Sequence, residues 1–564
     1  MTRPVPAIVI LGNGSLATAR KIQQLYPGAL IHGLAERVDG ADRLYQEFGA
    51  TLRELYQQDT PIIALCAAGI VIRTLAPLLL EKGAEPPVLA VAEDGSAVVP
   101  LLGGLGGVNL LAREIAQGLG VAAAITTSGE LRFGTCLLNP PSGYALADLE
   151  LGKRFVSDLL GGEPVRIEGE APWLAQAQLP QDQQANLSIH VSAAEREPAA
   201  NELLIYPKSV VALVSDDVAD LPEAIRQALR RAKIAQQSLA CLLASDQMMG
   251  NPTLHDVALE LGVALRFTAA GSVEEVIGLP VVLHTDNGIT LAVAEQPLDV
   301  TLIGRPRGRL AVIGIGPGAV ELMVPAVKAE LARATDVLGY ETYVRMAGPY
   351  RPDQVLHCTD NREEMQRARH AFELAVQGRS VVVVSSGDPG VFAMAAAVLE
   401  ALHESGDPAW HQVDLEILPG VSASLATAAQ AGAPLGHDFC VLSLSDNLKP
   451  WEIIEKRLDL AAQADLAMAF YNPISRSRPW QLGRALEVVA RHRAADTPVV
   501  LGRDIARPGQ TLRVTTLGQL TPDQVDMRTM VLIGSSTTRV FPRLHGLSWV
   551  YTPRSYGDKL IDIK

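Results

Sequence analysis

The sequence predicts an α/β protein assembled from several open sheets. Short apolar runs rich in Val, Ile and Leu alternate with segments of helical period along most of the 564 residues. The 48 Gly and 36 Pro cluster at the ends of those runs, where α/β units turn. At roughly 150 residues per domain, the length predicts about three or four domains.

Composition narrows the function. Apolar residues are 48% and charged residues 20%, which excludes disorder as the main state. Aromatics are only 4%, so the cores must come from Leu, Val, Ala and Ile. The net charge of −14 repels nucleic acid at long range, and no nucleic-acid partner is expected. The five cysteines, Cys66, Cys136, Cys241, Cys358 and Cys440, are odd in number, widely spaced and without a C-x-x-C pair. This argues against a disulfide framework, a zinc ribbon or an iron–sulfur cluster, and no metal site is expected. The apolar part of MTRPVPAIVILGNGS is too short for a secretory signal. Apolar runs such as Ile62 to Ile72 fall short of the ~20 residues that span a bilayer. The expectation is a cytoplasmic protein with no membrane partner.

The elements follow in order. Ala7 to Leu11 is a strand, Gly12-Asn13-Gly14-Ser15 a turn, and Leu16 to Leu25 a helix. Ile62 to Cys66 is a strand leading through Gly69 into a helix near Val71 to Leu80. Val88 to Val91 is a strand with a turn at Asp94-Gly95, and the loop Gly103-Gly104-Leu105-Gly106-Gly107 opens a helix at Asn109 to Gln117. Between 136 and 205 the periodicity fades and Gln and Pro become frequent, so this stretch is expected to be loop-rich. Strands return at Val210 to Val214, Leu239 to Ala244 and near Phe267, with helices at Leu221 to Ile234 and Asn251 to Leu261. Residues 296–308, with Pro297 and Pro306, read as a linker. Beyond it, Leu310 to Ile313, Val381 to Val384, Asp465 to Tyr471, Thr497 to Leu501 and Met530 to Ile533 are strong strands, and residues 309–550 read as two lobes, 309–425 and 426–550.

Four strand-end loops in this last region can carry chemistry. Gly314-Ile315-Gly316-Pro317-Gly318 lets a backbone approach a ligand closely. A dinucleotide fingerprint fails here, because Pro317 removes a donor N–H and stiffens the loop; a tight strand-to-helix turn is the bland alternative. Ser385-Ser386-Gly387-Asp388-Pro389-Gly390-Val391-Phe392 follows four buried valines, where open sheets bind ligands. Asp388 is suited to a ribose, an amino group or a sulfonium, although Asp-Pro-Gly also forms turns by residue type alone. The third loop is Pro419-Gly420-Val421-Ser422-Ala423-Ser424, and the fourth is Phe470-Tyr471-Asn472-Pro473.

In this order and spacing, the four loops resemble the tetrapyrrole methylase family. The strings Gly432-Ala433-Pro434-Leu435-Gly436-His437-Asp438-Phe439, Pro450-Trp451-Glu452 and Arg478-Pro479-Trp480 are similar to its ring-contracting branch, which methylates carbon 17 of precorrin-3B in cobalamin biosynthesis. The resemblance covers about residues 309 to 550 and implies a two-lobed methylase fold. It also implies S-adenosyl-L-methionine as cofactor, a small-molecule tetrapyrrole substrate and a homodimer formed through the methylase domain. Matched motif by motif, it implies cofactor contacts at Gly316, Pro317, Ser386, Gly387, Asp388, Val391, Ser422, Ala423, Asn472 and Ala506. Ala319 departs from the acidic residue common after the first loop. For the proton transfer of ring contraction, Glu341 stands where related methylases carry an acid, with His437 and Asp438 as further catalytic candidates. The bland roles are caps for Asp438 and a satisfied loop position for His437. Eight Arg between Arg476 and Arg513 could offer forks to a polycarboxylate, with Arg484, Arg491 and Arg493 read instead as a solvated helix face.

Residues 1 to 300 resemble the cobalamin biosynthesis G-type family through Ala67 to Arg73, Gly106-Gly107-Val108-Asn109, Ile125-Thr126-Thr127 and Pro252 to Phe267. This implies G-type N- and C-terminal domains at 1–135 and 206–295. The family pattern before Gly106 carries a histidine, whereas here the residues are Gly103-Gly104-Leu105; the G-I-G-C-R-R-G string is absent around Leu213-Val214-Ser215-Asp216. Leucine cannot replace a histidine in proton transfer, so lactone hydrolysis is expected to be lost. The alternative is a bifunctional enzyme of the cobalt-dependent route with an active cobalt-precorrin-5A hydrolase half.

Overall fold

The computed structural model describes residues 5–555 apart from 27, 80–84, 216–217, 219, 271, 352, 361–362 and 476–477. Asp216, Arg476 and the end of the helix expected near Leu80 lie outside the described residues. The chain forms two compact units. One runs to Arg307 and includes Pro349–Asp353; the other comprises Gly308–Gly348 and the residues from Gln354 onward.

The first unit holds three sheets. Six strands run in the spatial order Arg43–Tyr45, Leu30–Leu34, Ala7–Ile10, Ile62–Leu65, Val88–Val91, Val98–Leu102, all parallel except the last. Ala7–Ile10 and Ile62–Leu65 are buried on both faces, as parallel strands between helices are. The stretch expected to be loop-rich instead carries a four-stranded sheet of Tyr144–Leu146, Glu202–Pro207, Leu187–Val191 and Val165–Glu168, covered by the helix Leu149–Gly161. Phe133, Phe155, Leu159, Leu174 and Ile189 fill its core. Two of its strands have only three or four residues, too few for an alternating pattern to emerge from the Gln- and Pro-rich connections. A five-stranded sheet completes the unit, in the order Ala264–Thr268, Leu239–Ser245, Val210–Val214, Ile289–Ala294, Val281–Asp286.

The segment read as a linker is tied to that last sheet. Arg305 and Phe267 exchange two backbone hydrogen bonds of 2.8 Å, Ile303 is buried, and Arg266 donates to the carbonyls of Thr301, Ile303 and Gly304.

The second unit has two lobes. In the first, β1 (Arg309–Gly314), β2 (Asp336–Tyr340), β3 (Val355–Thr359), β4 (Ser380–Ser385) and β5 (Asp414–Leu418) form a wholly parallel sheet in the order β3-β2-β4-β1-β5. Leu310, Val312, Val381 and Val383 face the helices Glu364–Ala375 and Met394–Glu404 in one core. The helix α1 (Ala423–Ala431) then packs on the second lobe: Ala428 and Ala431 meet Ala469, Val500 and Leu532. The chain therefore passes from one lobe to the other at the third loop. The second lobe's sheet is β6 (Phe439–Ser443), β7 (Ala467–Tyr471), β8 (Pro498–Arg503), β9 (Thr511–Thr516) and β10 (Thr529–Ile533), in the order β6-β7-β10-β8-β9, with only β6 and β7 parallel. A small sheet of Gly432–Ala433, Ser548–Tyr551 and Arg539–Pro542 lies beside it. Among the described residues, no helix is long and apolar enough to cross a membrane.

Candidate functional site

Parallel strands that start from one edge deliver their C-terminal ends to the other, and ligands bind there. The first three loops meet at such an edge. After β1, the Gly316 N–H donates to the Gly387 carbonyl at 3.1 Å, and the Gly387 N–H returns a bond to Gly316 at 2.8 Å. Gly316 and Gly387 both adopt positive φ, 73° and 69°, which only glycine reaches without strain. A Cβ on Gly420 would lie 2.5 Å from the Gly314 carbonyl oxygen and closer still to that of Gly387. The three loops are in contact because these positions lack side chains.

Asp388 locks the arrangement. Its Oδ1 accepts from the Gly390 N–H at 2.8 Å and its Oδ2 from the Gly420 N–H at 3.0 Å, so the carboxylate ties the second loop to the third. Ser422 caps α1, accepting from the Leu425 N–H at 3.4 Å. The N–H of Ala423, at the start of the same helix, has no protein partner among the described residues, leaving a donor at a helix N-terminus.

The second lobe supplies the opposite wall. The Tyr471 hydroxyl, at the end of β7, accepts from the Ser424 N–H at 3.2 Å and lies 3.2 Å from the Ser424 Oγ. Its ring meets Phe392 edge-on, with centroids 5.4 Å apart. Phe392 is half exposed and has a φ of 54°, unusual for an aromatic residue. The Lys449 ammonium stands 5.7 Å from that ring. Asn472, also at positive φ, donates to the Ser443 Oγ at 3.1 Å. The turn after β8 brings in Ala506, at φ 63°, and Arg507. Arg507 Nε donates to the Pro317 carbonyl at 2.6 Å, and Nη2 to the Ser386 Oγ at 3.4 Å.

The structure thus gathers Gly316, Pro317, Ser386, Gly387, Asp388, Ser422 and Ala423 around one edge, with Asn472 and Ala506 on strand ends of the facing lobe. Val391 lies in the second loop, where its N–H donates to the Asp388 carbonyl at 3.2 Å. The acid–base candidates separate. Glu341 directly follows β2, at the same end of the first sheet as the loops, and is paired with Arg345. His437 and Asp438 precede β6, at the end opposite Ser443. At about 3.3 Å per residue the strand carries them some 17 Å from the Asn472 contact. There the His437 Nδ1 accepts the Asp438 N–H at 2.7 Å, and the Asp438 side chain is 84% exposed.

Most of the arginines have partners. Arg478 meets Asp446, Arg484 meets Glu455 and Glu487, Arg491 meets Glu455 and Asp459, and Arg503 meets Asp526 and Asp504. Arg493, expected on a solvated face, is buried and held by Asp465 and the carbonyls of Ala462 and Leu466. Phe392, Lys449 and Tyr343 were not singled out by the sequence. Phe392 ends the second loop's motif, but its positive φ has no residue-type signature. Among the described residues, no group of three or more His, Cys, Asp or Glu could hold a metal ion.

Two α/β lobes closing a cleft of glycine-rich strand ends define a methyltransferase fold of one family. A model of the tetrapyrrole (corrin/porphyrin) methylases matches residues 309–521, and a model of the cobalamin synthesis G N-terminal region matches residues 50–130. The chain belongs to the tetrapyrrole methylase family. It is 50% identical over 250 residues to a precorrin-3B C(17)-methyltransferase of Sinorhizobium sp, a match covering 44% of this chain and 98% of that protein. It is 46% identical over 255 residues to the cobalamin biosynthesis protein CobIJ of Mycobacterium tuberculosis, covering 44% of this chain and 49% of that protein. Among solved structures, the methyltransferase CobJ is 52% identical, with a TM-score of 0.41, over 44% of this chain and all of that one.

Proposed function

We propose that the second unit is an S-adenosyl-L-methionine-dependent C-methyltransferase that methylates ring carbon 17 of precorrin-3B, with ring contraction to precorrin-4. The observation that carries this reading is the match along 98% of a precorrin-3B C(17)-methyltransferase at 50% identity. The cleft is consistent with the cofactor. Its glycine loops offer backbone recognition, including the unpartnered Ala423 N–H, and the Asp388 carboxylate is already engaged by two N–H groups.

The cofactor would supply an electrophilic methyl group. The protein's part is to align and to exclude water. Gly316, Gly387 and Gly420 let three backbones approach the ligand, Asp388 fixes their spacing, and Phe392 with Tyr471 walls the cleft. Of the three acid–base candidates, Glu341 is the one at the loop-bearing end of its sheet, and we assign it the ring-contraction proton. In the expected result, label from the methyl of S-adenosyl-L-methionine passes to precorrin-3B with wild-type protein. Glu341→Gln then binds cofactor normally but contracts the ring slowly. No label transfer would end the reading.

For the first unit, the reading is a cytoplasmic accessory region without hydrolase activity. Leu105 supplies no proton, and Glu130, beside the matched Thr127, is buried in bonds to Asn109 and Arg113 of 2.6 and 2.8 Å. Release of acetaldehyde from a cobalt-precorrin-5A lactone would overturn this and restore the bifunctional alternative. A homodimer through the methylase unit remains part of the proposal. The exposed apolar residues Val540, Phe541, Leu544 and Leu547 favour it, and mass determination in solution tests it.

A further inference from the structure

Among the described arginines of the arginine-rich segment, Arg507 and Arg513 meet no carboxylate, and Arg513 is exposed whereas Arg507 is not. Arg478, Arg484, Arg491, Arg493 and Arg503 each meet a carboxylate. Arg507, half-buried in the cleft, meets none among the described residues: its protein bonds go to the Pro317 carbonyl and the Ser386 hydroxyl, both neutral. Its side chain also packs on Gly318, where a Cβ would lie 2.6 Å from the Arg507 Cγ, so the guanidinium is held against the first loop. A half-buried cation without an anion has lost hydration without Coulombic return. Tyr343, on the helix Glu341–Ala347 that follows β2, lies within range of its charge. Burial raises the pKa of that phenol while the nearby Arg507 charge opposes the rise. The Tyr343 hydroxyl has no hydrogen-bond partner among the described residues. Arg507 therefore lies against the first and second loops with donor capacity to spare, and an unpartnered phenol stands within range of its charge.

We infer that Arg507 and Tyr343 form the carboxylate receptor of the cleft. The inference rests on the reading of this cleft as a methyl-donor and tetrapyrrole site. A guanidinium fork and a phenol together match one carboxylate. Two ligand groups share that chemistry: the α-carboxylate of the cofactor's amino-acid part, and an acid arm of the macrocycle.

Calorimetric titration of the full chain separates them. The probes are S-adenosylhomocysteine, 5′-methylthioadenosine (which lacks the amino acid) and uroporphyrin III, an octacarboxylate. If the cofactor is the source, Arg507→Gln weakens S-adenosylhomocysteine about 10- to 100-fold, as loss of a charged hydrogen bond does, and leaves methylthioadenosine unchanged. If the macrocycle is the source, both nucleosides bind Arg507→Gln as wild type and uroporphyrin III weakens by a similar factor. In either case Tyr343→Phe moves the same ligand by a smaller factor, and Arg507→Lys restores part of the loss. The inference is overturned if no ligand shifts more than twofold, or if both nucleosides weaken equally, which would make Arg507 only a prop for the first loop. If wild-type protein binds neither S-adenosylhomocysteine nor uroporphyrin III, the reading of the cleft itself fails and this inference falls with it.

Discussion

Replacing Gly420 by alanine is the sharpest perturbation of the cleft. The new Cβ would sit 2.5 Å from the Gly314 carbonyl oxygen, whereas ordinary contact begins near 3.4 Å. Backbone on both sides cannot swing away as a flexible side chain would, so the third loop must retreat by about 1 Å. That retreat also stretches the 3.0 Å bond from the Gly420 N–H to Asp388. Overpacking of this kind costs about 1–3 kcal/mol of stability, and a 1 Å misplacement of a reacting group costs about 100-fold in rate. The assay pairs thermal unfolding with methyl transfer and S-adenosylhomocysteine titration. Gly483→Ala is the control: its Cβ finds only Pro522 at 3.6 Å, inside the helix Gln481–Val489, so it should be neutral or stabilising by up to about 1 kcal/mol. A Gly420→Ala protein that binds and turns over like wild type would refute the claim that the glycines set the spacing of the loops.

Other perturbations read other parts of the structure. Asp388→Ala leaves the Gly420 and Gly390 N–H groups without their acceptor, and should cost about 1–3 kcal/mol in chemical denaturation along with most of the cofactor affinity. Tyr471→Phe removes the contact between the end of β7 and Ser424 at the start of α1; a loss of about 1 kcal/mol and a few-fold weaker S-adenosylhomocysteine binding are expected by calorimetry. In the first unit, burial, reinforced by the Arg43 charge and opposed by Asp42, lowers His32 from 6.5 to about 4. The folded state then holds fewer protons than the unfolded one between those values. The stability is whole above pH 6.5 and falls as the pH drops toward 4, by up to about 3 kcal/mol. His32→Gln should flatten that slope in denaturant melts, and an unchanged slope would assign it elsewhere.

What was legible in the sequence follows from what is local. Glycine-rich loops after valine-rich strands are written in consecutive residues, so Gly316, Gly387 and Ser422 could be placed at strand ends before any sheet was known. Asp388 was visible as a residue, but its role was not, because its partner Gly420 lies 32 positions away. Arg507 and Pro317 are 190 positions apart, and nothing local records their bond. His437 and Asp438 show the opposite failure. They precede the strand that Ser443 ends, but a strand has two ends, and only the sheet reveals which end faces the cleft. The four-stranded sheet near residues 144–207 stayed hidden because Tyr144–Leu146 and Val165–Glu168 are too short for a period of two to show.

The central claim is methylation of a precorrin ring carbon in the cleft between the two lobes. The most direct measurement supplies purified protein with precorrin-3B and S-adenosyl-L-methionine carrying a carbon-13 methyl, then follows the product by mass spectrometry and carbon-13 NMR. The account predicts one added labelled methyl, attached to ring carbon 17 of a contracted macrocycle. Recovery of unaltered precorrin-3B, or label at another ring position, would contradict it.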